Sequence, residues 1–310
     1  MRYLLLVTYN GKNYSGYQIQ PNATTIQEIL ESSIKTITKQ TVNCVASGRT
    51  DAGVSAYMQP VHFDIEKELN EQKFLYSLNG ILPEDIKVLS ITKTNLHARF
   101  SAKRKTYLYK MYVSDIAQPL MSDALQISPN LDFKEMQKFL KLLVGTHDFV
   151  GFRASGGSNE STIRTIYSAK LKKQGNYIYF TITGNGFLYK MVRNIVGTML
   201  KIGENKLSLK EIKPTLFTTF KATNTSKPEY LYLLNVEYWL QPLLFVNSEN
   251  NLLFKYIKNL LKSIDSVTTL AFIYLLSSSQ ISLFAQLLLI PFKTFVLWGP
   301  FYQIVNFKFQ

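Results

Sequence analysis

Positions 3–9, YLLLVTY, form a short apolar run that reads as a strand, and the turn residues of NGKNYSGY close it. Thr25-Ile-Gln-Glu28 has the form of a capping box, and Ile26, Ile29, Leu30, Ser33, Ile34 and Ile37 share one face of the helix it opens. Strands are predicted at 42–46, 60–65 and 87–94, with a helix over 72–79, completing a first βαβ-like half. The run KTYLYKMYV from Lys105 starts a second half. There Asp132-Phe-Lys-Glu135 caps a helix reaching Val144, with Phe133, Met136, Leu140 and Leu143 turned inward. Beyond the polar loop ASGGSNEST lie paired strands at 165–172 and 177–183, a long helix at 188–202 and a last strand at 230–238. The similar order of elements suggests a duplicated α+β unit, residues 1–104 and 105–240.

Residues 241–310 break this pattern. Positions 251–264 form an amphipathic helix, and from Ser266 to Phe292 no charged residue occurs. That stretch meets the ~20-residue length needed to cross a bilayer. Ser277-Ser-Ser-Gln280 and Gln286 dilute it, and Pro291 would interrupt a helix. Three readings stay open for this apolar helical extension: a packed appendage, a membrane anchor, or sequence without function.

Charge adds a partner class. Lys and Arg outnumber Asp and Glu 35 to 21 in 310 residues, a net +14. Such an excess favours a polyanion, because each phosphate neutralised releases condensed counterions. The alternative is a solvated lysine coat. A single cysteine, Cys44, excludes an internal disulfide and fits a reducing compartment. The three histidines, His62, His97 and His147, lie far apart, with no CxxC or HxxxH spacing, so no metal site is expected. The N-terminal apolar run is too short for a signal peptide.

Candidate chemistry centres on ASGRTDAGVSA, where Asp51 follows Arg49 in a loop between two glycines. An Asp there ordinarily completes an Asx turn or caps a helix. A neighbouring cation, however, keeps a carboxylate ionised where solvent is excluded, as a carboxylate nucleophile requires. Arg193, on an otherwise apolar helical face, asks for a buried anion as partner.

GRTDAGVSA resembles the signature of the TruA-type tRNA pseudouridine synthases, usually GRTDxGVHA. The resemblance continues through HARFSAKRKTYLYKMY, GTHDFVGFR, IRTI and ITGNGFLYKMVRNIVGTML, collinear from Met1 to about Leu240. It implies the pseudouridine synthase fold: α+β, two similar halves of mixed or antiparallel sheet, helices on one face. It also implies an isomerase that converts uridine to pseudouridine in the anticodon stem-loop of tRNA, at nucleotides 38 to 40. Such enzymes are cytoplasmic homodimers that use no cofactor or metal. By this match Asp51 is the nucleophile, Tyr107 packs on the uracil, Arg193 pairs with the Asp, and Arg49 aids base extrusion. Lys103, Arg104, Lys105, Tyr109, Arg153, Arg164 and Lys190 flank the motifs as candidates for RNA binding, which on an A-form stem rests on shape and phosphates.

Departures from the pattern are Ser55 for the usual His, Lys105 for an Arg, a cysteine-free ASGGSNEST loop, and Tyr230 at an expected glycine. A rival from another class is a non-catalytic RNA-binding protein with the same fold. Only the rival has no use for a carboxylate facing phosphates.

Overall fold

The computed structural model describes residues 1–156 and 161–238. The readings for 241–310 lie outside the described residues, as do residues 157–160 of the ASGGSNEST loop. Among the described residues no helix is long and apolar enough to cross a membrane.

The first half runs β1 (Arg2–Tyr9), α1 (Ile26–Thr38), β2 (Val45–Ala46), β3 (Ser55–Asp64), α2 (Glu71–Ile81) and β4 (Ile86–Lys93). The second runs β5 (Ala102–Val113), β6 (Leu125–Ile127), α3 (Phe133–Leu142), β7 (Gly145–Asp148), β8 (Ile163–Gln174), β9 (Tyr177–Gly184), α4 (Met191–Gly203), α5 (Leu209–Ile212) and β10 (Leu231–Tyr238). The helices start where the caps predict. The Thr25 hydroxyl accepts from the Glu28 N–H, and the Asp132 carboxylate accepts from the Glu135 N–H at 3.0 Å. Ile26, Leu30, Ser33 and Ile34 of α1 are buried, as are Met136, Phe139 and Leu140 of α3, so each apolar stripe faces the core.

Three boundaries differ from the sequence pattern. The strand predicted at 42–46 shrinks to two residues, because the Cys44 N–H donates to Glu31 Oε1 (2.8 Å) while only Val45 and Ala46 pair with β3. β3 begins at Ser55, ahead of the predicted Pro60, because Ser55 and Ala56 find a partner in β10. The helix predicted from Leu188 begins at Met191, since Lys190 takes up a left-handed conformation (φ 56°) that halts the periodic run.

All these strands join one sheet, in the order β4-β1-β3-β10-β5-β9-β8-β7, with β2 added beside β3 and β6 beside β5. The last strand of the described residues is therefore central. β10 runs parallel to β3 (Tyr232↔Ser55, Leu233↔Ala56) and antiparallel to β5 (Leu233↔Tyr107). This seam sets the end of the GRTD loop beside Tyr107. Inward side chains of the sheet, among them Leu5, Phe63, Tyr109, Phe180 and Ile182, share one core with those of α1 to α4.

The segment before β10 lies close along α4, and small residues allow it. A Cβ on Gly197 would stand 2.2 Å from the Asn224 carbonyl oxygen, and one on Gly151 2.0 Å from that of Phe220. Gly197→Ala is expected to destabilise the fold by about 1–3 kcal/mol, because the obstacle is backbone. A fall in the urea midpoint with unchanged m-value checks this.

Candidate active site

Asp51 sits at the start of a tight turn, its carbonyl accepting from the Val54 N–H at 3.1 Å. Gly53 completes the turn at φ +81°, a conformation that a side chain would strain. The loop is fixed from behind. Tyr17 N–H donates to the Thr50 carbonyl (3.1 Å), Gly53 N–H to that of Tyr14 (3.2 Å), and the Tyr9 and Thr50 hydroxyls bond at 2.8 Å. Gly11 approaches so closely that a Cβ would lie 2.0 Å from the Val54 oxygen. The Gly11 N–H donates to Ser55 Oγ at 3.0 Å, so the residue replacing the family's histidine serves as a buried loop tie.

Across the seam, Arg193 Nη1 donates to Asp51 Oδ2 at 2.9 Å, and its Nε donates to the Ser226 carbonyl at 2.8 Å. The side chains are 12% and 22% exposed for Arg193 and Asp51, so the pair is shielded yet open on one side. This is the anion that the lone arginine of an apolar helix required. With two of its donors committed, the guanidinium cannot swing off the carboxylate.

Tyr107 closes the floor. Its ring meets that of Phe187 edge-on, centroids 5.2 Å apart. Burial first, then Tyr9 and Asp51, pushes its pKa well up, so the hydroxyl stays neutral. Tyr9 behind it is raised to about 12, mainly by burial.

Asp51 and Tyr107 open into a cleft of ≈ 1040 Å³ whose walls include Arg49, Arg99, Lys105, Phe187, Tyr189, Lys190, Arg193 and Leu231. Of the residues predicted to bind substrate, the structure brings Lys105 and Lys190 to this cleft. Lys105 Nζ donates to the Ser47 carbonyl at 2.6 Å, and Lys190 Nζ lies 5.0 Å from the Tyr189 ring centroid. Arg164 stands near Lys105 without lining the cleft, its Nη1 donating to the Ser161 carbonyl at 3.0 Å. Lys103, Arg104 and Arg153 are also outside it. Arg104 is occupied by Glu237 (3.8 Å) and by the Tyr167 ring (4.6 Å).

Tyr109 is a correction. It shares a strand face with Tyr107 but is fully buried, its hydroxyl donating to the Lys227 carbonyl at 2.9 Å. Tyr230, at the expected glycine, packs edge-on against it (6.4 Å). The tyrosine is a core residue that holds the segment leading into β10, and RNA cannot reach it. Conversely, Phe187, Tyr189, Leu231 and Arg99 line the cleft although the sequence pattern gave them no role. For the first two the signal was present, as aromatics beside the glycines of TGNGFLYK. Among the described residues no three His, Cys, Asp or Glu gather as metal ligands.

Lys105 supplies a pH dependence. Burial, then Arg99 and Arg164, lowers its pKa to about 8. A phosphate docking there favours the charged form, so affinity for RNA is full below that pH and declines as pH rises through it. The expected fall is up to about tenfold per pH unit. Lys105→Arg, which keeps its charge, should flatten the profile measured by tRNA titration from pH 6.5 to 9.5.

Comparison with known proteins comes down to one description. A family model described as tRNA pseudouridine synthase matches residues 5–101 and 139–239. A tRNA pseudouridine synthase A of Thermoanaerobacter sp. (strain X514) is 41% identical over 240 residues, covering 76% of this chain and 98% of that protein. Its counterpart in Streptococcus pneumoniae (strain Taiwan19F-14) is 39% identical over 245 residues, again 76% and 98%. That of Ruminiclostridium cellulolyticum is 38% identical over 240 residues with the same coverage.

Proposed function

The chain belongs to the tRNA pseudouridine synthase family, isomerases that convert uridine to pseudouridine, and we propose that it acts on the anticodon stem-loop, at nucleotides 38 to 40. Asp51 is the nucleophile in this reading. The observation that carries it is the Asp51–Arg193 pair, 2.9 Å apart at the base of a cationic, aromatic cleft.

The isomerisation breaks the N1–C1′ bond and forms a C5–C1′ bond; a proton leaves C5 and N1 gains one. The target uridine leaves the stack, at a cost of a few kcal/mol, and enters the cleft. Asp51 then adds to ribose C1′ or to uracil C6. Arg193 holds the carboxylate in position for this step, its Nη1 donating to Oδ2 at 2.9 Å. The Tyr107 ring receives the base face and Phe187 fixes that ring from the side, so the detached uracil can turn without escaping. Arg49, exposed on the same loop, faces the strand from which the base is drawn. Lys105 and Lys190 hold backbone phosphates, contacts indifferent to sequence that let one site accept neighbouring uridines.

We also place the enzyme in the cytoplasm, as a homodimer. The first rests on its tRNA substrate and on the lone, buried Cys44, which suits a reducing compartment. The second rests on the family resemblance.

Asp51→Ala is expected to abolish pseudouridine formation, below about 10⁻³ of wild type, while tRNA binding stays within a few-fold. Retained turnover, measured by tritium release from 5-³H-uridine tRNA, would overturn the assignment. The family model ends at residue 239 and these relatives match 76% of the chain, so a chain ending at Leu240 is expected to keep its turnover. Loss of activity in that truncation would show that the extension takes part.

A further inference from the structure

The turn just before β5 holds an aromatic ring in water, and every group around it is committed to keeping it there. Phe100 is 73% exposed, yet its ring lies on that of His97, centroids 4.3 Å apart and planes 29° apart. His97 Nδ1 accepts the backbone N–H groups of Arg99 and Phe100, both at 3.2 Å. On its other side His97 meets His62, a buried imidazole whose Nδ1 accepts from the Ala98 N–H at 3.1 Å. The Ala98 carbonyl accepts from the Tyr238 hydroxyl (2.8 Å), and the His97 N–H donates to Ser101 Oγ (3.1 Å). A turn tied at five points does not expose a phenyl ring through looseness.

The neighbours are cations. Arg99 stands 5.7 Å from the Phe100 centroid and lines the cleft that contains Asp51. Arg99 and Arg164 both lie near enough to Lys105 to repel its charge. Among the described residues none of the three makes an ion pair. Covering such a cluster with an apolar protein partner would cost the desolvation of unpaired cations, whereas a phosphodiester is attracted to it.

We infer that Arg99 and Phe100 form a subsite for one unpaired nucleotide of the RNA substrate, its base stacked on Phe100 and its phosphate held among Arg99, Lys105 and Arg164. The subsite rests on the reading of the cleft as an RNA site, and it gives Phe100 a positioning role at the cleft rim. A rigid ring suits this because an aromatic face accepts any base and loses little freedom on binding. The nucleotide so held is a neighbour of the target uridine, which fixes the register in which the strand crosses the cleft.

The test separates stacking from charge and from packing, using full-length protein and unmodified tRNA. Loss of one base stack, in Phe100→Leu, is expected to weaken binding roughly five- to 150-fold, with the loss expressed in KM more than in kcat. Phe100→Tyr, which keeps the ring, should restore affinity to within about threefold of wild type. Arg99→Gln should reduce the slope of log affinity against log salt by about one, whereas Phe100→Leu leaves that slope unchanged. Tyr76→Ala, removing a ring 85% exposed on α2, is the control for a nonspecific aromatic effect and should bind as wild type. Binding by Phe100→Leu within twofold of wild type, or no recovery in Phe100→Tyr, overturns the subsite while leaving the isomerase reading intact. Failure of the wild-type protein itself to bind tRNA would sink the isomerase reading instead.

Discussion

A carboxylate and a guanidinium drawn largely out of water are stable only together: either one alone would carry an uncompensated charge into a poorly solvating site. Asp51 and Arg193 meet at 2.9 Å from positions 142 residues apart, and much of the fold serves that meeting. The arginine is anchored through Ser226, the aspartate by a turn that leans on the segment after β1. Close backbone approaches at Gly11 and Gly197 bring both supports into reach. The carboxylate is thus held by a partner that is itself anchored.

The sheet explains why two halves suffice for one site. The seam is made by β10, parallel to the strand that follows the Asp51 loop and antiparallel to the strand carrying Tyr107. Loop, ring and Leu231 converge where the starts of β3 and β10 meet the middle of β5. The helix bearing Arg193 then reaches across from the core side. No single half contains a carboxylate, its counter-charge and an aromatic floor.

Local signals carried a good part of this. Caps at Thr25 and Asp132 and the stripe of α1 follow from side-chain chemistry within a few residues, and the structure keeps them. Asp51, Tyr107 and Arg193 were legible because motifs marked them and because a lone arginine on an apolar face demands an anion. Three features were not. The shortened strand at 42–46 depends on Glu31, a residue of another element, taking the Cys44 N–H. Tyr109 reads like Tyr107, two positions away on the same face, and only the packing of Tyr230 and the Lys227 carbonyl decides that one is core and the other cleft. The central place of β10 has no local signature, since sequence order alone would leave a last strand at an edge.

That central place also bears on synthesis. Residues 231–238 fill the gap between β3 and β5, and nothing earlier in the described chain occupies it. A nascent polypeptide can pair β1 with β3 and form α1, but the Asp51 loop and the strand carrying Tyr107 stay unjoined until β10 is delivered. Long-range pairing of this kind is slow to form. Copies that stop short of Leu231 therefore carry Asp51, Tyr107 and Arg193 but lack the strand that joins β3 to β5.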